Sequence, residues 1–424
     1  MKFSALDLAP QLLQAVEACG YSDMTPVQQK AIVPARRGKD VLANAQTGTG
    51  KTAAFALPIL QQIIDKPREV ESGYCRAIIL TPTRELAEQL SESIKKYAQF
   101  LDLKIFAIYG GVNMDSQKKK LNRGVDILIA TPGRLLEHLV QCNTNLSRAD
   151  FVVLDEADRM LDMGFISDVA TILRHTPDTR QTMLFSATIS AQVQQLSKKI
   201  LKRQVEVRAS KMNATADTIE HVVYPVEERR KVDLFAELIH KHNWFQVLVF
   251  TSTKAQADAL MRKLKNTGVT TALCHGDKTQ GTRRRALADF KANKVQVLIA
   301  TEVAARGLDI PGLEYVVNYN LPYLAEDYVH RIGRTGRAGN KGYAISFVSR
   351  EEERSLNNIE RLIGNKVKRI HMPGYDVSNR DNLRKSIAQG RKKTPSNKAT
   401  QTKISRSAQK PVNAGKSRKP RNKK

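Results

Sequence analysis

Short apolar runs recur along the chain, and stretches of helical periodicity separate them. Residues 40–45, 77–81, 104–109, 126–130, 151–155 and 182–186 form the first set. These runs scarcely alternate between polar and apolar. That is the pattern of parallel strands covered by helices on both faces. Between them, residues 84–101 carry a helical pattern. Strand and helix in alternation predict βαβ units and an α/β fold. The pattern then begins again, with strands expected at 246–251, 270–274, 295–300, 315–318 and 344–348. Between the two sets, residues 209–217 are small and polar, as in a linker.

A chain of 424 residues with 41% hydrophobic content has enough material for two such cores. The division expected is an N-terminal segment 1–30, a first α/β domain 31–208, a linker 209–218, a second domain 219–371 and a tail 372–424. Formal net charge is +27, and 15 Lys and Arg without a single acid fall in the last 43 residues. No aromatic residue follows Tyr375, so the tail is expected to be disordered, because it cannot bury enough surface to fold. An excess of positive charge this large points to a polyanionic partner. Cys19, Cys75, Cys142 and Cys274 are far apart in sequence, which fits neither a disulfide framework nor a zinc site. No run reaches the length of a membrane span, and the N-terminus lacks a signal-peptide core. A cytoplasmic protein with no membrane partner is expected.

Two motifs carry chemistry. Ala45-Gln46-Thr47-Gly48-Thr49-Gly50-Lys51-Thr52 stands between an expected strand and an expected helix. Glycines let such a loop turn its N–H groups towards phosphate oxygens, and the helix start adds a positive dipole end. Lys51 is positioned to reach the β- and γ-phosphates, and Thr52 to hold Mg²⁺. The general phosphate-loop pattern has glycine where this chain has Ala45. About 100 residues later an apolar strand ends in Asp155-Glu156-Ala157-Asp158. Asp155 suits a Mg²⁺ ion held through water, and Glu156 suits orienting and deprotonating an attacking water. An acidic pair after a strand is as often a helix cap, but its place after a phosphate loop favours catalysis.

The same four residues spell the signature of the DEAD-box RNA helicases, and the chain resembles that family from near Phe3 to about Val348, closest to its RhlE-like bacterial subgroup. The resemblance implies two tandem RecA-like domains, each a parallel sheet flanked by helices. It implies a Q motif in segment 1–30, with Tyr21 stacked on adenine and Gln28 bonded to its edge. Pro82, Thr83 and Arg84, then Gly110 and Gly111, then Thr131, Pro132, Gly133 and Arg134 resemble the RNA-backbone motifs of the first domain. Thr251, Gly276, Arg283 and Thr301 match RNA-contact positions of the second. Ser186 and Thr188 resemble the motif that couples hydrolysis to domain closure through the Asp158 loop, with His330 in the same role. Arg334 and Arg337 correspond to arginine fingers, and Asp309 to a contact with the ATP ribose. The family's usual Asp is Glu302 here.

The function this implies is ATP-dependent, sequence-tolerant RNA binding with local duplex unwinding or ribonucleoprotein remodelling. ATP and Mg²⁺ are the implied cofactors. RNA single strands and short duplexes are the implied partners, in ribosomal precursors or RNA-decay complexes, bound by a monomeric core. An ATP-dependent RNA clamp with little unwinding is the alternative. A DNA helicase is disfavoured by the matches at Gln28 and at Asp155–Asp158. The tail's cations should add nonspecific, salt-sensitive RNA affinity.

Overall fold

The computed structural model describes residues 1–46, 48–208, 219–305, 308, 310, 312–336 and 341–375, without the side chain of Val303. The expected linker 209–218 and the tail from 376 onward lie outside the described residues, as do Thr47, Asp309 and Arg337. Seven strands form a first parallel sheet: β1 (Val41–Asn44), β2 (Cys75–Leu80), β3 (Ile105–Ile108), β4 (Val125–Ala130), β5 (Phe151–Leu154), β6 (Gln181–Ser186) and β7 (Val205–Arg208). Seven more form a second: β8 (Ile219–Pro225), β9 (Val247–Thr251), β10 (Thr271–Cys274), β11 (Val297–Thr301), β12 (Tyr315–Asn318), β13 (Gly342–Val348) and β14 (Lys368–Arg369).

The strand order is β3-β4-β2-β5-β6-β1-β7 in the first sheet and β10-β11-β9-β12-β13-β8-β14 in the second. Each label in the second is seven higher than its counterpart, so the two halves share one topology. All pairings are parallel. The central strands β2, β4, β5 and β6 are buried at every position, in keeping with their largely apolar sequences. Helices such as Lys51–Asp65 and Arg84–Tyr97 close one face of the first sheet, where Phe55 meets Phe185 edge-on at 5.3 Å. Complete burial of aromatic side chains of this kind contributes about 1.5–3 kcal/mol each.

Every strand expected from the sequence is present, with ends shifted by a residue or two. Three further strands, β7, β8 and β14, escaped the sequence reading. In an open parallel sheet, ligands bind beyond the carboxyl ends of the strands. The phosphate loop follows β1, Arg84 follows β2, Gly110 follows β3, Thr131 follows β4, Asp155 follows β5, and Ser186 ends β6. One edge therefore gathers them all.

Candidate nucleotide and nucleic-acid site

At the end of β1, Ala45 still belongs to the sheet, because its N–H donates to the Ser186 carbonyl at 2.9 Å. Its methyl group is fully buried in the core, so glycine's freedom is not needed there. Gly48 and Gly50 do need it, with φ of 85° and 88° in the left-handed region. Gly50 caps the helix Lys51–Asp65, and a Cβ there would overlap the Gln28 amide. Thr49 ties the loop through its hydroxyl, which donates to the Gln46 carbonyl at 2.7 Å.

Gln28 is buried against this loop. Its Nε2 donates to the Gly50 carbonyl at 3.1 Å, and its Oε1 accepts from the Thr25 N–H at 2.8 Å. The amide still holds one hydrogen and one lone pair, enough for a base edge. Tyr21 is exposed and leans on Tyr97 at 6.4 Å.

Lys51 is nearly inaccessible, and its Nζ lies 3.5 Å from Asp155 Oδ1 without a hydrogen bond. Burial opposes its charge, yet Asp155, Glu156 and Asp158 outweigh that and hold the ammonium above its ordinary range. A buried cation with unused donors, beside left-handed glycines at a helix start, fits a polyphosphate. Thr52 begins the same helix. Glu156 takes φ 55° and ψ 52°, a left-handed conformation that costs a non-glycine residue roughly 1–2 kcal/mol. Asp158 Oδ2 accepts from the Thr188 N–H and hydroxyl, both at 2.9 Å. The Asp158 N–H donates to Ser186 Oγ at 3.3 Å, and that hydroxyl donates to the Thr188 carbonyl at 2.7 Å. Strand β6 thus links the carboxylate loop to Ala45 in one hydrogen-bonded chain.

The second half has no phosphate loop at the corresponding place. After β8 the chain runs Val226-Glu227-Glu228, and Lys231 is fully buried with Nζ 2.6 Å from both Glu228 and Glu352. The lysine at this strand end is thus already paired with two carboxylates. The second half instead supplies arginines. Arg334 donates to the carbonyls of His330 at 3.2 Å and Leu308 at 3.1 Å. Arg331 bonds Glu302, Asn318 and Asn320 and lies over Phe250, so it is structural. This gives Glu302 its place, as the acceptor for the Arg331 guanidinium. A crevice of about 10 Å³ between the halves is lined by Glu156 and Arg159 from one side and Glu302, His330 and Arg334 from the other. Such a space admits about one water.

On the nucleic-acid side, Thr83 caps the helix Arg84–Tyr97 through its hydroxyl, which accepts from the Leu86 N–H. The Arg84 guanidinium lies against Gly110 and Gly111; a Cβ on Gly111 would overlap it. Thr131 N–H bonds the Ile108 carbonyl, and Pro132 and Gly133 open the helix Pro132–Val140. Arg134 donates to the Val112 carbonyl at 3.0 Å and Gln117 at 3.2 Å, and pairs with Glu137 at 2.9 Å. In the second half Thr251 is fully buried, Gly276 abuts Lys254, and Thr301 ends β11 half-buried. Arg283 has a partner the sequence did not suggest: its Nη2 lies 2.7 Å from Glu85 of the first half. Gln280 bonds Glu85 too, and Arg284 grips Glu88 and the Tyr109 hydroxyl. These contacts bound a cleft of about 510 Å³. Glu85 adjoins Arg84, and Tyr109 adjoins Gly110, so the expected RNA contacts sit directly on this bridge.

His138 lies beneath the same edge, fully buried between Gln117 and Asn143. Burial, aided by Arg134, depresses its pKa from 6.5 to about 4. A base whose folded pKa is depressed takes up its proton on unfolding, so stability is lost as pH falls from 6.5 towards 4. The urea midpoint of the wild type should drop over that window, and that of His138→Gln should drop less. Equal pH profiles would remove His138 as the cause.

The family model described as "DEAD/DEAH box helicase" matches residues 25–196, and the "Helicase conserved C-terminal domain" model matches residues 230–339. The "DEAD-box ATP-dependent RNA helicase CshA" of Bacillus cereus is 41% identical over 374 residues, covering 88% of this chain and 70% of that protein. The structure of S. cerevisiae Dbp5 bound to RNA and ADP BeF3 is 32% identical, with a TM-score of 0.79 over 92% of this chain and 99% of that chain. A DEAD box protein from the hyperthermophile Methanococcus jannaschii is 39% identical over 87% of this chain and 99% of that one, with a TM-score of 0.51.

Proposed function

Because the chain belongs to the DEAD-box ATP-dependent RNA helicases, we propose that it splits ATP in a site shared by its two halves, and that closure of this site grips RNA and opens nearby base pairs. The observation that carries this reading is the crevice where Glu156 of one half and Arg334 of the other line a single water-sized space. The likeness to a relative holding RNA and ADP BeF3 supports a closed, ligand-ready arrangement.

ATP is the substrate. Lys51 and the N–H groups of residues 46–52 bind its phosphates, Tyr21 and Gln28 its base, and Asp309 its ribose. Thr52 and Asp155 would hold Mg²⁺, which offsets phosphate charge when bound. Among the described residues no group of His, Cys, Asp and Glu could hold a metal unaided. Glu156 accepts a proton from the attacking water, and Arg334, with Arg337, faces the charge that builds on the transferred phosphoryl group. Arg84, Gly110, Gly111, Thr131–Arg134, Gly276 and Thr301 line the expected strand path. Such contacts go to the backbone and carry no sequence information. Arg283 and Thr251 act from inside, bracing the path rather than touching it.

The domain limits 31–208 and 219–371, the RhlE-like subgroup, a monomeric core, a cytoplasmic site of action and ribosomal-precursor or RNA-decay substrates belong to the same proposal. No helix among the described residues is long and apolar enough to cross a membrane. The test is ATP turnover with no nucleic acid, with single-stranded RNA and with DNA of equal length, alongside strand release from a short RNA duplex. RNA should stimulate turnover and DNA should not, and the duplex should open. Turnover indifferent to RNA would overturn the reading, and turnover without strand release would reduce the protein to a clamp.

A further inference from the structure

Arg159 stands directly after the Asp155–Asp158 signature, in the short helix Ala157–Asp162. Asp327 stands in the helix Ala325–Ile332, whose end leads into Arg334. Arg159 Nη1 donates to Asp327 Oδ1 at 2.6 Å across 168 residues of sequence. The Arg159 side chain is 3% exposed and that of Asp327 12%. Burial works against the Arg159 charge, but Asp327 first, then Asp158 and Glu302, hold the guanidinium above its ordinary range. Its Nη2 is buried without a hydrogen-bond partner, and Arg159 lines the crevice shared by Glu156 and Arg334.

We infer that Arg159 and Asp327 form a positioning strut, made only when the halves close, that holds the Arg334 loop against the Glu156 carboxylate. When the halves part, Arg159 keeps its second partner Asp162, 2.9 Å away and 39% exposed, while Asp327 loses this cation. The pair therefore differs in energy between open and closed states, which is what an element must do to bias closure. It also stands next to the nucleotide. Asp158 precedes Arg159 in sequence and is held by Thr188, so a shift of the carboxylate loop on ATP binding moves the strut's anchor. The bridge from Glu85 and Glu88 to Arg283 and Arg284 stands beside the RNA path in the same way. Each ligand thus has its own interhalf contact, and a closed state needing both would make ATP and RNA binding mutually reinforcing.

The inference rests on the shared-site reading, so its test separates the two. Asp327→Asn is nearly isosteric and removes the interhalf counter-charge while Asp162 still pairs with Arg159; Arg159→Met removes the cation that faces Asp327. Each should lower RNA-stimulated kcat by about 10- to 100-fold, the range of coupling for contacting residues, and raise the RNA concentration that half-closes the protein. ADP affinity, set by the Lys51 loop, should stay within about twofold. The double variant Arg159→Met with Asp327→Asn should be no worse than the poorer single. Closure is read from donor and acceptor dyes, one on each half, titrated with single-stranded RNA in the presence of a non-hydrolysable ATP analogue. Losses that simply add, or single variants that close at the wild-type RNA concentration, would overturn the strut. A wild-type chain that does not close would overturn the shared-site reading beneath it.

Discussion

Replacing Glu156 with glutamine is expected to lower RNA-stimulated ATP turnover by roughly 10²–10⁴-fold, the usual contribution of a positioned general base. RNA binding in the presence of ATP should survive, and should lengthen in lifetime. The amide has the volume of the carboxylate, so the packing of a side chain only 5% exposed is kept. It retains a carbonyl oxygen that can orient a water, but it cannot take the proton. The left-handed turn at Glu156 is backbone geometry that glutamine tolerates about as well as glutamate. Asp158 holds Thr188 independently of Glu156, so the coupling chain through β6 stays intact. The variant should thus stall after closure and before hydrolysis. Single-turnover phosphate release, with ATP and RNA affinity measured separately, checks this. Near-normal release would mean that another group takes the proton and that Glu156 only shapes the loop.

The nucleotide half of this site was legible in the sequence because it is local. Ala45–Thr52 and Asp155–Asp158 are contiguous text at strand ends, and β1 and β5 are runs that only a buried parallel strand explains. Ser186 and Thr188 were legible as a motif, but the bond that makes them matter, to Asp158, lies across the sheet. The strands that escaped notice share a physical trait. Val205–Arg208 alternates apolar with charged residues at a sheet edge, and Lys368–Arg369 is two exposed cations. Ile219–Pro225 mixes Glu220 and His221 with its valines and ends in a proline. None has the apolar continuity that marks an interior strand. The interhalf contacts left no trace at all. Glu85 and Arg283 are ordinary charges on separate helices, and nothing in one sequence says that two faces will meet. Arg283 illustrates the cost: an arginine at a nucleic-acid motif reads as a phosphate contact, whereas its guanidinium lies on a carboxylate of the other half. Lys231 taught the converse. The repeated topology puts a second strand end at β8, but the chain there has no glycine-rich loop, and Lys231 is held between Glu228 and Glu352 instead.

Arg334→Ala should be more damaging still, with RNA-stimulated turnover falling by about 10³–10⁵-fold, the range for an arginine that meets phosphoryl charge. The residue is 4% exposed and fixed by the His330 and Leu308 carbonyls, so its fork is oriented by the protein itself rather than by the nucleotide. Preorganised charge costs no rearrangement at the moment of reaction. Arg334→Lys should rescue little, because a point charge on a flexible stem cannot keep both carbonyls and still span two phosphate oxygens. Loss of a buried guanidinium also threatens the fold, so the melting temperature and ADP affinity must be measured beside the rate. A rate loss that tracks a lower melting temperature would make Arg334 structural. The sharper measurement combines the two variants. If Glu156 and Arg334 act on one water and one phosphoryl group in the shared crevice, removing either already disables the unit. Glu156→Gln with Arg334→Ala should then be scarcely slower than the worse single variant. If the two losses multiply instead, the residues act in separate steps, and the crevice that brings them together is not where hydrolysis occurs.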